Sequence, residues 1–160
     1  METSQKMQGE VGSLPERIRQ LVDSEHYGVL CTQGDGQPYG SLIAFAFSDD
    51  LKKAVFATPT TTRKYRLLSQ SPNVALVVDS RTRSPEEMHQ IEAITVTGQA
   101  VELESGQEFD KWAKLLVDQH RQLKPFVEAD TTALFRIDVV RYFHVTRFQE
   151  VRQWIPNLPM

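Results

Sequence analysis

The sequence predicts a mainly β fold: a small antiparallel barrel of six or seven strands with helices packed outside it. Runs of β-branched and aromatic residues recur along the chain, at 27–32, 39–47, 54–57, 74–78, 94–103, 133–148 and 150–155. Only three segments carry a helical period, spaced too irregularly for strand–helix–strand alternation. Two of the strands also read as parts of a closed or half-closed sheet, since 74–78 is apolar on both faces and Gly98 interrupts 94–103.

The elements follow in order. Ser13 and Glu16 are spaced as a capping box, and Ile18, Leu21 and Val22 then share one face of a helix over 13–24. Gly34, Asp35 and Gly36 tolerate positive φ and join strand 27–32 to strand 39–47 as a hairpin. Ser48, Asp49 and Asp50 turn the chain into strand 54–57. Pro59 disfavours helix at Thr58, and Pro72 closes the next one, which places a helix over 60–70. Residues 81–90 read as a charged loop. Ser105 and Glu108 repeat the capping-box spacing before Phe109, Trp112, Ala113 and Leu116, a third helix whose buried face holds Trp112. Pro156 and Pro159 stop the last strand.

At 160 residues, 40% hydrophobic and 24% charged, the chain suits one domain. Residues 1–12 read as a flexible segment, 13–155 as the domain and 156–160 as a tail. The formal net charge of -3 argues against nucleic acid as a partner, while leaving room for one local basic site that holds a small anion. No apolar run approaches the roughly 20 residues that cross a bilayer, and the polar start lacks a leader's apolar core. The expectation is a cytoplasmic protein with no membrane partner. The single cysteine, Cys31, excludes an internal disulfide and reads as a buried thiol.

Common catalytic signatures are absent. His26, His89, His120 and His144 lack metal-ligand spacing, and no nucleophile elbow, phosphate loop or dinucleotide fingerprint is present. The carboxylate pairs Glu86, Glu87 and Glu102, Glu104 read as solvated surface. No catalytic residue is singled out. The informative stretch is TPTTTRKYRLL, where three threonines run into Arg63 and Lys64 at a helix start. A helix N-terminus offers unpaired N–H groups and positive potential, Thr60, Thr61 and Thr62 add hydroxyls, and Arg63 and Lys64 add charge that the helix dipole disfavours unless an anion is bound. The set suits a terminal phosphate, with a basic, solvated helix face as the alternative.

The succession YGVLCT, GQPYGSLIAFAF, AVFATPTTTRKYRLLSQSPNVALVV and AITVTGQAVEL resembles the FMN-binding split-barrel family typified by pyridoxamine 5'-phosphate oxidase, over about residues 13–154. The resemblance implies a homodimer with flavin in the groove between subunits. It implies further that Thr62, Arg63 and Lys64 bind the FMN phosphate, that Ser41, Leu42 and Ile43 border the ring by their main chain, with Ala57 and Thr58 alongside, and that Trp154 reaches the partner's cofactor. Ordinary packing is the alternative for Trp154.

Some features depart from the oxidase itself. Ser41 stands where the oxidase has an arginine, Ala93 where it has a flavin-contacting glutamine, and Ala46 or a neighbour where it has a substrate-phosphate lysine; the end, VRQWIPNLPM, lacks its basic histidine-containing segment. The expectation is therefore a relative that does not turn over pyridoxamine phosphate efficiently. An FMN-dependent oxidoreductase acting on an unidentified small molecule is the leading reading, with no acid–base side chain required. Arg81 and Arg83 would bring charge near the groove or lie solvated. The alternatives are a flavin carrier or sensor without turnover, and a split barrel binding haem or a deazaflavin. Haem would call on His144 or His120 as axial ligand.

Overall fold

The structure is a computed structural model describing residues 13–82, 90–146 and 150–157. Helix α1 (Leu14–Ser24) begins where the capping box predicts: the Ser13 hydroxyl accepts from the Glu16 N–H and the Glu16 carboxylate accepts from the Ser13 N–H. Ile18, Leu21 and Val22 are buried from it into the barrel interior. Strands β1 (Tyr27–Gly34) and β2 (Gln37–Ala44) form the expected hairpin. Its turn places Asp35 and Gly36 at φ of 55° and 76°, the positive pair that suits the twist of a two-residue hairpin.

The strand expected over 39–47 divides at Phe45. β2 stays with β1, while β3 (Ala46–Phe47) moves across to pair with β4 (Lys53–Pro59). Phe45 and Phe47 are both buried in the interior, edge to face at 5.4 Å. β5 (Asn73–Asp79), β6 (Ala93–Leu103), β7 (Thr132–Thr146) and β8 (Glu150–Trp154) complete an eight-stranded antiparallel sheet in the order β2-β1-β5-β6-β7-β4-β3, with β8 also on β7. The eighth strand is the separated β3. β7 joins the two halves, since its residues 132–138 pair with β4 and its residues 142–146 with β8, while β6 runs along its other edge. The register of β6 shifts at Gly98, leaving Val140 unpaired.

Helix α2 (Arg63–Gln70) starts three residues later than predicted, with Thr62 as its N-cap. Helices α3 (Gln107–Gln119) and α4 (Lys124–Glu128) build a second core on the outer face of β4 and β7 from Trp112, Leu116, Val127, Val55 and Leu134. The sequence reading did not include α4. The second capping box does not form: Gly106, at φ 146°, occupies the cap position without a side-chain bond. Glu108 instead accepts from Trp112 Nε1 at 3.0 Å. Cys31 is half-buried on the outer face, not enclosed. β5 buries its inner face fully and its outer face partly. No helix is long and apolar enough to cross a membrane among the described residues. Arg83, Glu86, Glu87, His89 and the last two positions of the strand expected to reach 148 lie outside the described residues.

Among the described residues, no helix covers the outer face of β2, β1, β5 and the C-terminal half of β7 with β8. Leu42, Val140 and Val151 stand on it 69%, 52% and 57% exposed, with Val29, Val77, Phe143 and Val145 half-buried among them.

Candidate functional site: an open seam ending at a helix start

β2 pairs with β1 on one edge and has no ladder partner on the other. β4 pairs with β3 only at Ala54 and Val55. β2 and β4 lie close to each other without pairing, which leaves an open seam between them. The chain leaves β4 at the end of that seam and enters α2 after one turn.

Along the seam, Ser41 stands opposite Leu30 on the inward face of β2, and its Oγ is buried with no partner among the described residues. Ile43 is buried in the core, whereas Leu42 points outward. Ala57 turns its methyl to the α3/α4 layer, so only its main chain faces β2. Thr58 is fully buried, with Oγ1 2.9 Å from that of Thr62.

The threonines act differently from the expected row of anion donors. Thr62 Oγ1 accepts from the Tyr65 N–H at 3.1 Å and lies 3.0 Å from the Pro59 carbonyl, so it caps α2. Thr60 donates to the Thr131 carbonyl at 3.3 Å. Of these three threonines, only Thr61 has a hydroxyl with no partner among the described residues. The N–H groups of Arg63 and Lys64, in the first turn, have no helical partner to donate to. Arg63 is exposed, its guanidinium 5.7 Å from the centre of the Tyr39 ring. Lys64 is half-buried and has no acidic partner among the described residues, and burial pulls its ammonium below the ordinary lysine pKa. A half-buried ammonium without an acidic partner among the described residues, beside free N–H groups, favours a bound anion.

Tyr39 was missed at the sequence level. Its alternation with Ser41 and Ile43 puts it on the same face of β2, but its approach to Arg63 needs the barrel to curl. Tyr65 packs edge-on against Phe135 at 6.0 Å, and the Glu102 carboxylate near its hydroxyl raises the phenol pKa. Trp154 is not gathered with the seam residues: it lies on β8, stacked on Tyr142 with centroids 5.4 Å apart.

His120 and His144 face inward, while His26 is exposed. His120 Nε2 is 2.8 Å from the Phe45 carbonyl oxygen, and His26 meets its ring edge-on. His144 is fully buried, its Nε2 3.1 Å from Glu92 Oε1 but off the line of a well-formed hydrogen bond. Burial raises the Glu92 carboxyl, yet hydrogen bonding and charge from His144 and Arg17 outweigh it and leave the pKa lowered. Among the described residues no three His, Cys, Asp or Glu side chains cluster as metal ligands.

Comparison with known proteins follows the same lines. Among curated proteins none is similar enough to match. Solved structures share the fold at low identity. A heme binding protein from Mycobacterium smegmatis superposes with a TM-score of 0.80 at 17% identity, covering 90% of this chain. This chain spans only 58% of that protein's length. General Stress Protein 26 from Bacillus anthracis gives 0.66 at 19% identity, over 89% of this chain and 98% of its own. A FAD-binding protein from Mesorhizobium loti gives 0.65 at 19% identity, over 79% and 88%. The family described as Pyridoxamine 5'-phosphate oxidase matches residues 14–146, nearly the whole folded part, including the seam and the start of α2, and the chain belongs to that split-barrel family.

Proposed function

We propose that the chain binds FMN along the β2/β4 seam, in a groove shared by two copies of itself, and serves as an oxidoreductase for a small molecule. Lys64 carries the reading: a half-buried ammonium with no acidic partner among the described residues, set beside Arg63 and the free N–H groups of α2. Arg63 and Lys64 would hold the phosphate, with Thr62 shaping the turn through its cap. The orphaned Ser41 Oγ supplies a hydrogen-bonding group on the ring side. Main chain at Leu42, Ile43, Ala57 and Thr58 would border the ring. A bound flavin supplies hydride transfer, so the protein's work is to bind, orient and exclude water.

The uncovered face supports a second copy as partner, because exposed Leu42, Val140 and Val151 form one side of a sheet that nothing else among the described residues covers. Trp154, half-buried on β8, would present its free edge to the partner's cofactor. The fold similarity to a FAD-binding protein is compatible with a flavin ligand.

The deciding experiment is a visible spectrum of purified protein before and after adding FMN and dialysing. Yellow bands retained at about one flavin per chain support the proposal; a Soret band would replace flavin with haem, and a colourless protein would remove both. Oxidation of NADH or NADPH with an artificial acceptor then separates an oxidoreductase from a carrier.

A further inference from the structure

We infer that the groove between the end of α1, the start of β1 and the end of β5 binds a planar aromatic carboxylate. The groove measures about 580 Å³, within the range of small-molecule sites. Its apolar side is Leu42, Val77 and the ring of Tyr27, itself 54% exposed. Its polar side holds Arg81, and here the geometry is prepared. Asp79 Oδ1 accepts from the Arg81 N–H at 2.9 Å and from its Nε at 3.0 Å. That grip fixes the guanidinium and leaves both terminal nitrogens without a partner among the described residues, so they can donate as a fork to a carboxylate.

The acids at the rim are already engaged, Asp79 by Arg81 and Glu25 by the Thr82 hydroxyl at 3.0 Å. The fork offers one bidentate position, which matches a single carboxylate, and no second cation lines the groove among the described residues to balance a dianion such as a phosphate ester. Tyr27 and Leu42 offer an aromatic ring a flat apolar contact, and His26 stands at the mouth. Leu42 also belongs to the stretch proposed to border the flavin, so a ligand here would lie beside the ring, with the second copy walling the open side. That placement rests on the flavin reading; binding of the acid does not.

The test is a titration of flavin-free, isotope-labelled full chain with benzoate, and with benzamide as the uncharged analogue, followed by amide chemical shifts. Benzoate is expected to give saturable shifts centred on Tyr27, Gly28, Leu42, Val77, Arg81 and Thr82, and to bind about tenfold or more tighter than benzamide. Arg81→Gln, at an exposed side chain, is expected to remove that advantage while leaving benzamide and the melting temperature unchanged. Shifts that never saturate, centre elsewhere, match those of benzamide or survive Arg81→Gln would overturn the site. Benzoate binding here in a protein that refuses FMN would leave this groove standing and sink the flavin reading. FMN binding without benzoate binding would do the reverse.

Discussion

Lys64 concentrates the physics of the seam into one side chain. Its folded-state pKa is lowered by burial, so between that value and the ordinary lysine pKa the unfolded chain binds more protons. Stability of the ligand-free protein therefore rises with pH across this alkaline window. An anion favours the charged form, so FMN binding should take up a proton there, and affinity should fall as pH rises through the folded pKa. Calorimetry in two buffers of different ionisation enthalpy reads that proton directly, and no uptake would remove Lys64 from the phosphate contact. Lys64→Glu and Arg63→Glu should each cost FMN affinity tenfold or more, because a hydrogen bond to a charged group is worth about 1.5–3 kcal/mol. The place of these two residues in the first turn of α2 was legible from sequence because helix-start signals are local. The assignment of Thr62 to capping was not, since Ser/Thr at such a start can serve either the helix or a ligand, and only the 3.1 Å bond from Tyr65 decides it.

Elements were legible wherever a local signal fixed them and illegible where a distant partner did. The capping box at Ser13 formed; the one at Ser105 did not, because Glu108 meets Trp112 and Arg136 instead. Nothing between 39 and 47 announces the break at Phe45, which comes from β3 crossing to β4. Helix α1 is tied to the sheet by Arg17, whose Nη2 lies 2.9 Å from Glu92 Oε2, with His144 on the other oxygen. The depressed Glu92 pKa contributes stability present above the unfolded value and lost as pH falls through the folded one. Glu92→Gln should therefore cost about 2–3 kcal/mol near neutral pH and flatten the acid limb of the stability profile. Urea unfolding at several pH values checks both, and a parallel downward shift at every pH would refute the linkage. At Gly98 a Cβ would run into the Asp138 carbonyl and the Ile137 side chain. Gly98→Ala is expected to cost about 1–3 kcal/mol as the bulge shifts to admit it, and an unchanged urea midpoint would mean that β6 and β7 are free to part there.

At the scale of the molecule, the strand composition pointed to a barrel, while the order of its strands, its open seam and its bare face emerge only once the chain has closed. The bare face separates two descriptions of the protein in solution. In a monomer, Val140 is a half-exposed bulge residue outside the ladder, and Val140→Glu should change stability by no more than about 0.5 kcal/mol. In the dimer proposed above, the same carboxylate would be desolvated against an apolar sheet without a counter-ion, a burial that costs several kcal/mol per charge. Light scattering with size-exclusion chromatography should then find wild type at twice the chain mass and Val140→Glu at the chain mass. Because Val140 is not among the residues assigned to the cofactor, loss of FMN along with the dimer would place part of the site on the partner. Retention of FMN by the monomeric variant would confine the site to one chain, and an unchanged dimer would move the interface to another face.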